Sequence, residues 1–308
     1  MALDVSLLQA IRALTAFEPP PALPGCDLEA LVHVLTAHGL APLASYQVEH
    51  TRLGAGLPTS FREALLGQYQ GVANDNVLKL VGLRGLLRAV PEVPVVVLDA
   101  VAYVDWLYPH LAFRPVIDLR IALRGEDGPR FAKAVAGQMS ARTEDEGRIA
   151  IFTDGRITLT AQEGLWPGGP GDEALFARRV AYRALSPSAA RPSPEDALLA
   201  TVADQALQGL LAPLITFVDL RELLRLPLDV PYLRSRAQET RLARALRGAM
   251  LLVAHFFPDV GPAAASVCPE LTAPERVAVD RVVETASDPA RFTHLRGAEA
   301  AARLVVAP

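Results

Sequence analysis

Residues 95–123 read VVVLDAVAYVDWLYPHLAFRPVIDLRIAL, a stretch dense in groups that could handle charge. Carboxylates two apart on a strand project from one face and can share divalent metal ions. A small-residue turn opening a helix offers backbone N–H groups to phosphate. This stretch has that layout with two charges of the wrong sign. Asp99 ends the first strand, where it repels phosphate, and Arg120 follows Asp118 at the spacing where a second metal-binding carboxylate would stand.

The elements that must position these residues can be read on either side. VPVVVLD (93–99) is a β-branched run bounded by prolines, hence a buried strand. AVAYVDWLY (100–108) has helical spacing, RPVIDLRIAL (114–123) alternates as a strand, and GPRFAKAVAGQM is helical again. GRIAIFTDGRITLTA (147–161) is a hairpin turning at Asp154-Gly155. Residues 1–90 read as helices, with Asp27 as an N-cap, Gly39 as a stop and a long helix over 57–90 that starts at Thr59 or Ser60. SPSAARPSP (186–194) reads as a linker, followed by a helix capped by Ser193 with Pro194 in its first turn. The remainder is helical, which gives three segments: a helical region 1–90, an α/β core 91–170 and a helical domain 171–308.

Composition narrows the class. The 308 residues are 51% hydrophobic with mean hydropathy +0.25, enough for a large core. No run approaches the roughly 20 apolar residues of a membrane span. The N-terminus carries Asp4 and no basic lead, so no secretory signal is predicted and the cytoplasm is the expected compartment. A net charge of -4 argues against a broad nucleic-acid surface. Cys26 and Cys268 lack partners at metal spacing and read as small apolar residues.

LYP (107–109), RP (114–115) and Asp118 form a pattern that resembles a bacterial family of mostly uncharacterised nucleotidyltransferases in the polymerase-β-like superfamily. LVHVLTAHGLAPL, ANDNVLKL and SPEDALLA…FVDLRELLRL resemble its flanking segments, so the likeness covers roughly residues 5–260. The resemblance implies an α+β fold, mostly α overall, with a small mixed sheet between N-terminal and C-terminal helical regions. It also implies transfer chemistry on two metal ions held by three carboxylates. Against that pattern, Leu-Lys-Gly is replaced by Leu-Asp99-Ala100, the second Asp by Arg120 and the third acid by Thr158, leaving Arg114 and Asp118.

These departures point to a catalytically inactive member that acts as a binding or interaction module, with another protein as partner and no cofactor. The alternative is an atypical enzyme using magnesium and a nucleoside triphosphate at Asp118, with acids supplied by Asp105 or Glu163. A third reading is a metal-free nucleotide or anion regulator built on Arg114 and Arg120. The bland reading of Arg114 is a brace for its own turn onto Asp118. His110, the His33/His38 pair, Asp204 and Gln205 read as structural residues, and the arginines of 232–248 as a solvated face. If Arg120 fills the vacated metal position, it should bond Asp99, Asp118 or both.

Overall fold

A computed structural model describes residues 5–16, 18–144, 148–287 and 302–308. The helices before the sheet are α1 (Val5–Thr15), α2 (Leu28–Ala37), α3 (Ala41–His50) and α4 (Thr59–Ala89). The Asp27 carboxylate caps α2 by accepting the N–H groups of Glu29 and Ala30, and Gly39 takes the left-handed φ of 70° that ends it. The uninterrupted α4 runs for 31 residues.

A seven-stranded mixed sheet follows, in the order β3-β4-β5-β2-β1-β7-β6. Its strands are β1 (Val95–Val97), β2 (Leu119–Ala122), β3 (Ser140–Glu144), β4 (Ile149–Thr153), β5 (Thr158–Gln162), β6 (Val180–Ala181) and β7 (Ala189–Arg191). Interleaved are α5 (Asp99–Tyr103), α6 (Gly128–Val135) and α7 (Glu173–Arg178). β1 pairs antiparallel with β2 and parallel with β7, and β2 pairs parallel with β5. The β4–β5 hairpin turns at Asp154, whose carboxylate accepts the Arg156 and Ile157 N–H groups, and at Gly155 with φ 85°. The three strands expected around the charged residues therefore lie in one sheet.

Three expectations need correction. The stretch after 170, expected to be helical with a linker at 186–194, contributes β6 and β7 to the sheet, and β7 pairs parallel with β1 in its interior. β3 joins the sheet from a stretch read only as following a helix. The helix expected over 100–108 ends at Tyr103, whose carbonyl collects the N–H groups of Trp106, Leu107 and Tyr108 in tight turns. Pro109 disfavours helix for the residue before it, so the chain leaves in a loop.

After the sheet come α8 (Pro194–Leu207), α9 (Leu214–Leu224), α10 (Val230–Glu239), α11 (Ala243–Phe256), α12 (Gly261–Val267) and α13 (Ala273–Ser287). Ser193 Oγ accepts the Asp196 N–H at 3.2 Å and caps α8.

The chain divides into two compact units. One comprises residues 73–111 and 115–200 and holds the sheet; the other comprises 1–72, 112–114 and 201–308 and is helical. In the helical unit α11 packs on α9, α12 and α13, and the Arg12 guanidinium bonds the carbonyls of His255 and Phe256, each at 2.6 Å. Gln205 is buried and donates to Thr216, a structural contact as read. Among the described residues no helix is long and apolar enough to cross a membrane.

Strand alternation sorts the sheet side chains. Val95, Val97, Leu119, Ile121, Phe152, Leu159 and Ala161 share one face by register and all are buried. The Phe131 ring of α6 meets Phe152 there edge-on at 5.4 Å. Arg120, Thr158 and Thr160 share the other face. This sorting predicts that Leu159→Ala costs about 2–5 kcal/mol, as a core truncation does. The adjacent Thr158→Ala should stay within about 0.5 kcal/mol. Denaturant unfolding of the two variants checks the register.

Candidate functional site

Asp99, Asp118, Arg120 and Thr158 meet at one corner of the sheet. The Leu98 N–H donates to the Arg120 carbonyl at 2.9 Å, which carries the β1–β2 ladder to the edge of the α5 turn. Asp99 then breaks away with φ 53°, in the left-handed region that Asp tolerates better than most residues. Its carboxylate reaches Arg120 on the neighbouring strand, with Oδ2 2.6 Å from Nη1. The side chains are only 16% and 14% exposed, so each charge needs an opposite charge close by. Ala100 is buried behind them in the first turn of α5.

Asp118 lies just ahead of β2 and is exposed. Among the described residues it makes no ion pair, so Arg120 bonds Asp99 and not Asp118. Extending the Leu119–Leu159 register by one residue sets Thr158 beside Asp118. Thr158 is an exposed hydroxyl at the position the resemblance assigns to an acid.

The donor set does not fit a pair of divalent ions. Asp118 is the one carboxylate of the corner without a cationic partner among the described residues, and a guanidinium stands beside it on β2. Among the described residues no group of three or more His, Cys, Asp or Glu is placed to hold a metal. The substitute acids are elsewhere. Glu163 follows the far end of β5, five strand residues beyond the level of Asp118, or roughly 16 Å at 3.3 Å per residue. It lines a cavity of about 290 Å³ with Gly125, Arg148 and Phe152, on the opposite sheet face. Asp105 hydrogen-bonds the Tyr182 hydroxyl; burial first, and then this bond, raise the Tyr182 pKa. Arg191 stacks 4.3 Å over the Trp106 ring in the same cluster, its pKa lowered by burial despite Asp105.

Arg114 does not brace its turn onto Asp118. Its Nε donates to both carboxylate oxygens of Asp219 on α9, at 3.0 and 2.8 Å, and both side chains are buried. His38 is buried and its Nδ1 accepts the Leu214 N–H at 3.0 Å, while His33 is exposed. His110 sits in the exposed loop. Of the arginines in 232–248, Arg234 bonds the Ser266 carbonyl, Arg236 pairs with Glu239 and Arg247 with Asp280. That face is therefore partly tied down.

Two positioning residues carried no chemical signal in the sequence. Asn76 of α4 is fully buried; its Nδ2 donates to the Leu111 carbonyl at 2.6 Å and its Oδ1 accepts the Val116 N–H at 2.9 Å. Lys79, one turn on, donates to the carbonyls of Val116 and Ile117 and to Asp75 at 2.6–3.1 Å. Together they set the approach of the chain to Asp118. Both lie in ANDNVLKL, a segment noted for resemblance alone.

A family model described as an uncharacterised nucleotidyltransferase matches residues 24–258. No curated protein and no solved structure matches the chain.

Two outcomes follow from this geometry. Arg120→Asp should destabilise the protein by about 1–3 kcal/mol, the cost of breaking a buried pair discounted for partial exposure. It gathers three acids at one corner, and calorimetry should show a lower unfolding temperature with no gain of metal-dependent nucleotidyl transfer. Asn76→Ala orphans a backbone donor and acceptor and should cost about 2–4 kcal/mol in denaturant unfolding.

Proposed function

The chain belongs to the uncharacterised nucleotidyltransferase family, and from that premise we propose that it is a member without transfer activity, serving as a binding or interaction module. The observation that carries this reading is the 2.6 Å Asp99–Arg120 ion pair, at the corner where the resemblance would put metal and phosphate. Two-metal transfer needs carboxylates converging on the reacting phosphate. Here the nearest neighbour of Asp118 on its own strand face is a guanidinium. Arg120 already faces the Asp99 carboxylate, and Arg114 is bound to Asp219. In this reading the protein is a bacterial, cytoplasmic one that needs no cofactor, and its partner is another protein.

The test is thermal unfolding of the full chain with each of the four common nucleoside triphosphates at millimolar level, with and without magnesium. A ligand at about 100 times its dissociation constant stabilises by roughly 2.7 kcal/mol, a shift of a few degrees in a chain of this size. The expected result is no shift that depends on magnesium. A shift requiring both metal and nucleotide overturns the reading and returns the corner to catalysis.

A further inference from the structure

The solvent-facing side of α4 is unusual for a surface helix. Ser60, Ala64, Gly67, Gly71, Asn74, Leu78, Val81, Gly85 and Arg88 follow one another at alternating steps of four and three residues, and all are exposed. That spacing draws one continuous seam along a helix. The buried Asn76 and Leu83 lie on the far side. The seam carries a charge only at Arg88. Leu78 is 69% exposed, Val81 61% and the flanking Val77 46%. Glycine weakens an exposed helix, yet a Cβ added at Gly67, Gly71 or Gly85 would meet nothing within 4 Å. Packing within the chain therefore does not account for these glycines.

We propose that this seam is the interface of a homodimer in which α4 packs antiparallel on α4 of a second copy. The order of residues selects that occupant. Placing the two-fold axis level with Asn76 sets Leu78 against Asn74 of the copy, Val81 against Gly71 and Gly85 against Gly67. The large side chains of one half then fall on the small residues of the other, and by symmetry the fit occurs twice. Val77 meets its own counterpart beside the axis.

Charge completes the match. Glu63 and Arg88 are exposed, and among the described residues neither has a partner. The antiparallel arrangement brings Glu63 level with Arg88 of the copy on the same flank, again twice. Asp75, close to its own copy at the axis, is already paired with Lys79 at 2.6 Å. A parallel pairing would instead abut Leu78 with Leu78, Glu63 with Glu63 and Arg88 with Arg88. The inference rests on α4 alone and does not depend on the state of the sheet corner.

Sedimentation velocity of the full chain over a dilution series tests it. The expected species is a dimer at tens of micromolar. Leu78→Asp should weaken dimerisation by at least about tenfold, and Gly71→Ile, whose side chain has room in the monomer but fills the place of the copy's Val81, should do the same. Glu63→Arg alone should weaken it, and Glu63→Arg combined with Arg88→Glu should restore it. Circular dichroism confirms that each variant is folded. A wild-type chain that is monomeric up to ~100 µM, a dimer indifferent to both seam variants, or a charge reversal without rescue would each overturn the proposal. None of these readings involves nucleotide, so they stand apart from the thermal test of the sheet corner.

Discussion

A guanidinium on an interior strand of the sheet constrains everything around it. Arg120 lies in β2 between β1 and β5, with a side chain mostly out of water. A charge in that position needs a counter-charge or it costs several kcal/mol. Asp99 supplies it, and can do so only because the chain turns to a left-handed φ as it leaves β1. That contact ties the end of one strand and the start of α5 to the next strand. The charges at 99 and 120 are balanced as a pair. With a lysine at 99, Arg120 would face a second cation; with an acid at 120, Asp99 would join a cluster of three carboxylates. Either single change is repulsive, and the pair is neutral.

The loop between α5 and β2 depends on different anchors. Asn76 satisfies one carbonyl and one amide of that loop, Lys79 two carbonyls, and Arg114 is pinned to Asp219 by two hydrogen bonds to one carboxylate. All satisfy backbone or side-chain polar groups of the loop, several of them buried. Arg-Pro at 114–115 has a packing role here: a planar cation placed to meet a buried acid, followed by a residue with a fixed φ and no N–H to satisfy.

Legibility followed the strength of local signals. Caps at Asp27 and Ser193, the Asp-Gly hairpin and the β-branched VVV strand announce themselves through one residue type with one physical role. β3 did not, because its sequence SARTE is exposed throughout and has no apolar face to alternate. β7 is three residues, AAR, set among prolines and serines; what makes it a strand is its parallel partner β1, nearly a hundred residues earlier. The Asp99–Arg120 contact could be anticipated from reversed signs on neighbouring strands. The Arg114–Asp219 contact could not, since no spacing in the chain links residues 105 apart. Asn76 looked like any polar residue on a helix; only tertiary structure shows which amide it faces.

The sheet keeps its apolar packing and its charged residues apart. Leu119, Ile121, Leu159 and Ala161 face the core, and their burial supplies the stabilisation that holds the strands in register. Arg120, Thr158 and Thr160 alternate with them and face the other way. Substituting on that second face leaves the apolar contacts intact, so its cost is limited to whatever charge is left unpaired. An acid-to-threonine change at an exposed strand position costs almost nothing. An acid-to-arginine change costs more, but only until a carboxylate is found within reach. Apolar packing and charge thus sit on opposite faces of the same strands, and a substitution on one face need not disturb the other.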